Sequence, residues 1–385
     1  MASSSISYLW RDPNAPRGFR RGVSLHGHTN QSAETLDFLA NLGNQYPVMR
    51  PLLSRLERRS EARYGVRVNY AKAYWTPPMT PKLAFDLESG QIEKLDLAPM
   101  VSITDHDNIK APMLLRTIPS ARQIPVSVEW SAPYGPQSFH LGVHNLPSAR
   151  ATEWMATLSD YTAHPSNARL TEILAALNAE RNVLLVFNHP MWDLYLIGKE
   201  KHEFLVGEFL QKNGAHLHAL ELNGLRHWSE NRATRQLAEK WHMLLISGGD
   251  RHGVEPNATI NLTNASSFTE FVHEIRREKK SNMLFMPQYA EPWKHRILQS
   301  TIDAVRNYPE FPQGSRNWDQ RVYHPDLNGV VRPLSELWPA GRAPRAMRLV
   351  IGAVQLMGRG LVSGGLRMAW SEAHQLRLAL GEHDG

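Results

Sequence analysis

The segment Gly22-Val23-Ser24-Leu25-His26-Gly27-His28-Thr29 places two histidines directly after a short apolar run. Such a run is typical of a buried strand, and the residues that follow it lie at an edge of the sheet. Two imidazoles separated by one residue can bind a single metal ion, but this segment alone also fits an exposed loop. The rest of the sequence has to decide between these interpretations.

Five later segments repeat the arrangement of a short apolar run with polar residues at or just beyond its end. The runs are Met100–Ile103, Ile124–Val128, Phe139–Val143, Val183–Phe187 and Met243–Ile246. The polar residues that accompany them are Asp105, His106, Asp107, Glu129, His140, His189, Asp250, Arg251 and His252. Because the carboxyl ends of parallel strands gather ligands and catalytic groups, we predict that these residues meet at one edge.

The composition limits the class of protein. The chain has 385 residues, 42% of them hydrophobic and 21% charged, which is enough for one large domain with additions or for two domains. It contains no cysteine, so disulfides and thiolate ligands are excluded, and imidazole and carboxylate remain for metal binding. Because long apolar runs and a signal-peptide pattern are absent, we expect a cytoplasmic protein without a membrane span.

The positive charge is most concentrated near the C-terminus. The formal net charge is +6, and five arginines in that region have no acidic residue among them: Arg342, Arg345, Arg348, Arg359 and Arg367. Such a segment suits phosphate, nucleic acid or an anionic membrane surface. A solvated tail is the simpler interpretation and the one we favour.

Strand-like runs alternate with helical patterns after Asp107, which predicts an α/β barrel or a doubly wound sheet. The predicted helices are Glu34–Leu42, Pro51–Arg63, Leu83–Leu95, Ala111–Leu115, Leu170–Arg181, Phe204–Asn213, Arg232–Trp241 and Ser267–Glu278. We expect an N-terminal extension at residues 1–20 and a main domain at residues 21–283, with an insertion at about 43–98. Residues 284–385 are expected to pack on this domain as a C-terminal extension with helical pieces at Ser335–Trp338 and Met347–Met357.

Taken in order, the polar segments resemble the successive motifs of the PHP (polymerase and histidinol phosphatase) superfamily. They are His26-Gly27-His28-Thr29, Thr104-Asp105-His106-Asp107, Glu129, Phe139-His140-Leu141-Gly142, Asn188-His189-Pro190 and Asp250-Arg251-His252. The resemblance covers about residues 20–260. It implies an α/β fold, a distorted (β/α)7 TIM-like barrel, with a helical insertion and a C-terminal extension here. It also implies two or three divalent metal ions at the strand ends.

The resemblance divides the ligands among three metal sites. The first would be held by His26, His28, Glu129 and Asp250, the second by Glu129, His140 and His189, and the third by His106 and His252. A bridging carboxylate would offset the repulsion between two dications. Histidine-rich sites with carboxylates suit zinc, manganese or iron, and the sequence leaves the identity of the metal open.

The third site departs from the family pattern. Family members commonly have an aspartate five residues after the second histidine, where this chain has Ala33. We therefore take the next residue, Glu34, as the ligand that completes the third site. The alternative is that Glu34 is an acidic residue in the first turn of a helix, stabilised by the helix dipole.

The activity implied by the resemblance is that of a metal-dependent phosphoesterase. A hydroxide that bridges two metals would attack the phosphate ester of a small-molecule or nucleotide-like substrate. Two alternatives stay open: hydrolysis of a non-phosphate bond and a non-catalytic, metal-binding structural or regulatory module. Nucleic acid is a possible substrate, but no nucleic-acid-binding motif supports it. The sequence does not predict the oligomeric state.

Further residues are candidates for catalysis and substrate binding. Asp107 could protonate the leaving group, as could His106 or the third metal, and Arg251 could contact a phosphate oxygen or point away from the site. The substrate-binding candidates are Asn223, Arg226 and His227, which follow the strand-like run Leu217–Leu222. In the insertion, Lys72, Tyr74 and Trp75 could form a substrate lid or an aromatic packing patch.

Overall fold

The computed structural model describes residues 3–37, 54, 57, 58, 61, 62, 65, 68–337, 345–358 and 360–370. Within these ranges the chain is a mixed α/β protein with two large sheets and one small sheet. The strands are β1 (Ser3–Tyr8), β2 (Arg21–Ser24), β3 (Glu34–Thr35), β4 (Tyr74–Trp75), β5 (Ala98–Val101), β6 (Val128–Tyr134), β7 (Gln137–His144), β8 (Leu184–Phe187), β9 (Ala219–Asn223), β10 (Leu244–Gly248), β11 (Thr259–Thr263), β12 (Lys280–Phe285), β13 (Val322–Pro325) and β14 (Val331–Pro333).

Several helices pack on strands of these sheets, and others form the C-terminal part of the described chain. They are α1 (Pro81–Glu93), α2 (Lys110–Leu115), α3 (Ala151–Ala163), α4 (Asn167–Ala179), α5 (Lys199–Asn213), α6 (Trp228–Trp241), α7 (Phe268–His273), α8 (Trp293–Val305), α9 (Leu334–Leu337), α10 (Arg345–Met357) and α11 (Gly360–Ala369). A π-helical turn, Glu274–Glu278, continues α7.

The two large sheets meet at the predicted functional edge. Their strand orders are β1-β12-β11-β2-β5 and β10-β9-β8-β7-β6, and the small sheet has the order β14-β13-β4-β3. Isolated bridges join Gly27 to Arg251 and His106 to Glu129, so the ends of β2 and β5 lie beside residues of the second sheet. Strand β10 also contacts β1, β11 and β12.

Hydrogen bonding within the described residues does not close these sheets into one barrel, so the predicted barrel is not confirmed. The sheets also differ from the predicted alternation because they are not purely parallel. Strands β6 and β7 form an antiparallel hairpin through a turn in which Gly135 has a φ of 60°. As a result, Glu129 and His140 lie within strands rather than beyond strand ends, and the run Ile124–Val128 contributes only its last residue to β6.

The expected N-terminal extension contains a strand of the sheet. Strand β1 pairs in parallel with β12, from Ser3 opposite Lys280 to Tyr8 opposite Phe285. The strand was not predicted because it is rich in serine, a residue more typical of loops. Here a serine hydroxyl forms a hydrogen bond to the backbone of a neighbouring strand. The Ser4 hydroxyl accepts a hydrogen bond from the backbone N–H of Leu245 at 2.9 Å. Residues 1–20 are therefore not only an appendage to the main domain.

Most predicted helices are present. The first predicted helix, Glu34–Leu42, is wrong for the residues that the structure describes. Glu34–Thr35 is a strand that pairs with β4, with Glu34 opposite Trp75. Residues 38–42 and most of the predicted helix Pro51–Arg63 lie outside the described residues. Helix α1 begins as predicted: the Thr80 hydroxyl accepts a hydrogen bond from the N–H of Leu83, and Pro81 is its first residue. Helices α3, α8 and α11 lie outside the predicted set.

Helices α10 and α11 pack on α8, in line with the expected helical piece Met347–Met357. No single helix in the described ranges has both the length and the apolar character needed to span a membrane. Met347–Met357 and Val362–Ala369 meet those criteria only as a pair, and this pair is bent by 72°.

Candidate metal centre

The predicted ligands come together where the two large sheets meet. They are supplied by the segment after β2, by β3, by the segments after β5, β8 and β10, and by the hairpin β6–β7. Four overlapping groups of side chains could each hold one metal ion: His28, Glu34, His106 and His252; His26, His189 and Asp250; His26, His28 and Glu129; and His106, Glu129 and His140. All nine predicted ligands belong to these groups.

Glu129 is at the centre of the cluster and is fully buried. Its Oε2 atom lies 3.0 Å from Nε2 of His26, 3.3 Å from Nε2 of His28 and 3.3 Å from Nε2 of His106. Its Oε1 atom lies 3.2 Å from Nε2 of His189 and 3.4 Å from Nδ1 of His140. One carboxylate therefore faces imidazoles on both sides, which is the geometry expected of a bridging ligand.

Asp250 closes the cluster on the side of His26 and His28. Its Oδ1 atom lies 3.6 Å from Nε2 of each histidine. The backbone of Asp250 has a φ of 53°, a left-handed conformation that aspartate adopts more readily than most residues other than glycine. The Asp250 N–H donates to the His26 carbonyl at 2.8 Å, which holds this backbone beside the first histidine.

Glu34 points into the cluster, as the third-site prediction requires. Its Oε2 atom lies 3.1 Å from Nε2 of His106 and 3.2 Å from Nε2 of His252, and its Oε1 atom lies 3.5 Å from Nδ1 of His28. Glu34 is only 6% exposed. Because Glu34 belongs to a strand, the alternative of a carboxylate in the first turn of a helix is wrong.

The grouping differs from the predicted division for three histidines. His28 joins the third-site residues, and His106 groups with Glu129 and His140. His189 groups with His26 and Asp250, although its Nε2 atom also lies 3.2 Å from Glu129. The sites share ligands because the imidazole rings are packed against one another, with centroids 4.3 Å apart for His28 and His252.

The residues fit divalent metal ions. Two histidine nitrogens, Nε2 of His26 and Nε2 of His28, lie 3.1 Å apart and share one carboxylate oxygen of Glu129. Nδ1 of His140 is buried without a hydrogen-bond partner. The cluster therefore contains imidazole nitrogens that do not all find hydrogen-bond partners within it. Imidazole nitrogens and carboxylate oxygens together are the ligands that zinc, manganese and iron bind.

The mixture of charges shifts the pKa values in the metal-free cluster. Burial opposes protonation of His28, but the carboxylates of Glu34, Asp250 and Glu129 outweigh it and raise the pKa to about 9. Burial likewise opposes protonation of His106, and Glu34 and Glu129 raise its pKa to about 10.

The pKa of His140 changes in the opposite direction. Burial lowers the pKa of His140 to about 4, despite the nearby carboxylate of Glu129. Burial opposes ionisation of Glu129 itself, but His26, His106 and His140 outweigh it and hold its pKa well below the usual range. A neutral imidazole and an ionised carboxylate are the forms in which these side chains bind metals.

Glu221 is a site residue that the sequence analysis does not include. It is 2% exposed in β9, and its Oε1 atom accepts a hydrogen bond from Nδ1 of His26 at 2.6 Å. Its Oε2 atom accepts from the backbone N–H of His189 at 3.0 Å. A carboxylate behind a histidine fixes the ring and leaves the other nitrogen for a metal. The available signal was a single acidic residue inside the apolar run Leu217–Leu222.

Two buried side chains hold the histidine-bearing segments in place. Asp105 accepts hydrogen bonds from the N–H and the hydroxyl of Thr29, at 2.6 and 2.8 Å. The Ser32 hydroxyl donates to Glu34 at 2.6 Å and accepts from the N–H of His106 at 2.9 Å. Asp105 therefore supports the segment after β2, and Ser32 ties the two sides of the predicted third site together.

Arg251 does not fill the proposed phosphate-binding role, because its guanidinium is committed elsewhere. It is 5% exposed and forms an ion pair with Glu88 of α1, with N–O distances of 3.0 and 2.6 Å. Its Nη1 atom donates to the Gly253 carbonyl at 2.7 Å. Of the two alternatives left open by the sequence, the geometry favours the side chain directed away from the ligand cluster.

Asp107 lies next to the cluster but belongs to none of its four groups. Its side chain is exposed, and its Oδ1 atom accepts a hydrogen bond from the N–H of Ser131 at 2.8 Å. A proton-donor role for Asp107 stays a prediction.

The three predicted substrate-binding residues have different surroundings. Asn223 is fully buried and donates to Glu221 and Asp250, at 3.0 and 3.1 Å, so it supports ligands instead of facing substrate. His227 caps α6 by accepting a hydrogen bond from the N–H of Ser229 at 3.2 Å, and it is outside the four ligand groups. Its predicted substrate contact has no support in this geometry. Arg226, in contrast, lies beside the cluster.

Arg226 packs between a carboxylate and an aromatic ring. Its Nη2 atom is 3.6 Å from Oδ2 of Asp250, and its guanidinium carbon is 3.8 Å from the centroid of the Trp192 ring. The Nε atom is buried without a hydrogen-bond partner. The Trp192 ring also contacts the rings of His140 and His189.

Of the insertion residues, Trp75 reaches the cluster. Its ring centroid is 5.9 Å from that of His252. Tyr74 stacks on Tyr323 of β13 at 4.8 Å, which is the aromatic packing that the sequence left as an alternative. Lys72 ends a short 3-10 helix and is outside the ligand groups.

No family model matches the sequence, and a search of curated proteins finds no similar sequence. Solved structures with partial similarity include an amidohydrolase from Chromobacterium violaceum with bound sulfate and no metal (13% identity, 60% of this chain and 87% of that chain covered, TM-score 0.33). Another is a protein from Bifidobacterium adolescentis provisionally named a metal-dependent phosphoesterase (15% identity, 68% of this chain and 96% of that chain covered, TM-score 0.35).

A further similar structure is PsfC from Pseudomonas syringae (15% identity, 58% of this chain and 89% of that chain covered, TM-score 0.38). All three TM-scores are below 0.5. Similarity at this level does not establish a shared fold or activity. The functional argument therefore depends on the ligand cluster itself.

Proposed function

We propose that this chain is a metal-dependent phosphoesterase of the PHP type that acts on a small-molecule or nucleotide-like phosphate ester. The observation that carries the proposal is the convergence of nine histidine and carboxylate side chains from six segments around Glu129. The two large sheets, joined by the bridges Gly27–Arg251 and His106–Glu129, would correspond to a strongly distorted barrel.

The ligands would be divided among two or three divalent ions. Glu129 with His26, His28 and Asp250 would hold one, Glu129 with His140 and His189 a second, and Glu34 with His106 and His252 a third. Bound ions would supply Lewis acidity toward a phosphoryl group and lower the pKa of water in the site. Zinc, manganese and iron all suit these ligands.

Protein groups around the cluster would bind and orient the substrate. Arg226 is positioned to bind a phosphate oxygen, because it lies beside Asp250 and its Nε atom has no hydrogen-bond partner. Asp107 would donate a proton to the leaving oxygen from the exposed rim of the cluster. Glu221 would keep His26 in one orientation during turnover.

A screen of metal-reconstituted protein tests this proposal. Protein loaded with zinc, manganese or iron is assayed against phosphomonoesters, cyclic phosphodiesters and short oligonucleotides, with amide and ester substrates in parallel. We expect metal-dependent phosphate-ester hydrolysis that is lost in Glu129→Gln. The matched control is Glu93→Gln, which changes an exposed carboxylate at the end of α1.

The other outcomes identify the competing functions. Metal-dependent cleavage of amides or carboxylic esters without phosphate-ester hydrolysis would show that the proposed bond is wrong. Metal binding without turnover of any substrate would favour a structural or regulatory module. Cleavage restricted to oligonucleotides would make nucleic acid the substrate.

A further inference from the structure

Helices α10 and α11 expose four large apolar side chains. Leu349 and Met368 are 75% and 77% exposed, and Leu356 and Val362 are 48% and 40% exposed. Isolated exposed aliphatic residues are ordinary, but these four lie on two adjacent helices. Such an arrangement indicates a surface that has a partner.

Polar side chains contribute to the contact between this pair of helices and α8. Gln355 donates to the carbonyl of Val305 at the end of α8, at 2.7 Å. The buried Ser363 hydroxyl contacts Nε2 of His295 at 2.9 Å and accepts a hydrogen bond from Gln299 at 2.8 Å. The helices are thus attached to α8 partly through hydrogen bonds, which leaves much of their apolar surface free to bind elsewhere.

Among the residues of α10 whose exposure the structure describes, the exposed ones form one stripe. They are Arg345, Arg348, Leu349, Gly352, Ala353 and Leu356. Their spacing of three and four residues places them on a single helical face. This face combines two arginines with aliphatic or small residues and contains no acidic residue. The surface therefore differs from a solvated tail, which was the favoured interpretation of the sequence.

Positive charge extends along the whole segment. Between Glu336 and Glu372 the sequence contains five arginines and neither aspartate nor glutamate. Arg367 of α11 is 56% exposed, although it also approaches Glu291 at 3.4 Å. A partner that complements this surface must offer negative charge and an apolar region over an extended area.

We propose that the outward face of α10 and α11, which we call the C-terminal face, binds the surface of anionic lipid bilayers. Phosphate headgroups would pair with Arg345 and Arg348, and the aliphatic side chains Leu349, Leu356 and Met368 would enter the boundary between headgroups and acyl chains. The 72° bend between the helices and their short length favour binding along the surface. This proposal is independent of the proposed activity.

Vesicle co-sedimentation with the full chain tests the proposal. Vesicles of phosphatidylcholine alone are compared with vesicles that also contain phosphatidylglycerol, at low and high salt. We expect binding to the anionic vesicles that weakens as salt increases. The double variant Arg345→Gln/Arg348→Gln is expected to bind about 30-fold more weakly, because each arginine near such a surface contributes about 1 kcal/mol.

Two further variants complete the test. One removes apolar side chains from the C-terminal face, and the other removes two positive charges from a different part of the surface. Leu349→Gln/Met368→Gln is expected to reduce vesicle binding even at low salt, because it removes apolar insertion. Arg169→Gln/Arg181→Gln removes the same charge from exposed positions at α4 and should bind as the unchanged chain does. Circular dichroism establishes that each variant is folded.

Three results would overturn the proposal. The first is absence of binding to either vesicle, or equal binding to both. The second is vesicle binding that the Arg345/Arg348 and Leu349/Met368 variants leave unchanged. The third is self-association of the chain without vesicle binding, lost in Leu349→Gln/Met368→Gln, which would show that the C-terminal face binds a second copy.

Discussion

The Oε1 atom of Glu221 accepts a hydrogen bond from Nδ1 of His26 at 2.6 Å, and both residues are buried. The same carboxylate holds the backbone N–H of His189 through its other oxygen. One side chain therefore orients proposed ligands on two different segments. This relationship links the stability of the second sheet to the metal affinity of the site.

Replacing Glu221 with Gln is expected to weaken metal binding more than it alters the fold. The amide can occupy the same space, but it holds the His26 ring less strongly, and loss of such a supporting contact typically costs 10- to 100-fold in affinity or activity. Competition with a chromophoric chelator measures the affinity. The control is Glu239→Gln, at an exposed position of α6. Unchanged affinity in Glu221→Gln would show that this contact does not support the site.

Gly248 is expected to tolerate no side chain, because the Glu221 carboxylate occupies that space. A Cβ atom at Gly248 would lie 1.7 Å from Oε1 of Glu221 and 2.8 Å from Cβ of His26. Gly248→Ala should lower the free energy of unfolding by about 1–3 kcal/mol and reduce metal affinity as well. Gly207→Ala in α5 is the matched control, because nothing lies within 4 Å of its added Cβ. A stable Gly248→Ala protein with normal affinity would contradict this packing.

Arg251 is expected to contribute to stability instead of substrate binding. Its removal leaves Glu88, which is 1% exposed, as a buried charge without its ion-pair partner. Breaking a buried ion pair in this way costs about 3–5 kcal/mol, so Arg251→Ala should unfold at markedly lower urea concentration. If Arg251→Ala instead kept its stability and raised only KM, a direct contact with substrate would be indicated.

The metal-free and metal-loaded proteins are expected to respond oppositely to rising pH. The pKa values of His28 and His106 are raised from 6.5 to about 9 and about 10. Their contribution to stability is therefore complete below pH 6.5 and is lost as pH rises through 9 to 10. Metal binding requires neutral imidazoles, so metal affinity should increase over the same interval.

Thermal unfolding with a chelator and with added metal, at pH 6.5 and 9.5, measures both trends. The Tm difference between metal-loaded and metal-free protein should be larger at pH 9.5. A difference that shrinks with increasing pH would contradict the coupling between these histidines and metal binding.

The nine side chains that the sequence singled out come together in the structure, and each could be found because it lies in a short local motif. Their role as metal ligands stays a prediction. His26 and His28 adjoin an apolar run, and Asp250 and His252 adjoin another. Chain reversals were harder to predict: the hairpin that carries Glu129 and His140 depends on pairing between β6 and β7. Glu34 was identified as a ligand candidate, but the strand that positions it is formed by pairing with Trp75.

Residues that act across long sequence separations could not be identified from local patterns. Glu221 contacts His26 across 195 positions, and Arg251 contacts Glu88 across 163. In the sequence, Glu221 is an isolated acidic residue and Arg251 is one of several candidates for binding phosphate. Only the packing of β9 against β10 and of α1 beneath Gly27 specifies their partners.

The most direct test of the central claim is an anomalous-scattering map from crystals of the metal-loaded protein, recorded at the absorption edge of that metal. We predict two or three peaks around Glu129, one of them bound by Glu34, His106 and His252, with metal–nitrogen distances of about 2.0–2.1 Å for zinc. The absence of any peak among these side chains in metal-saturated crystals would contradict the proposed metal centre.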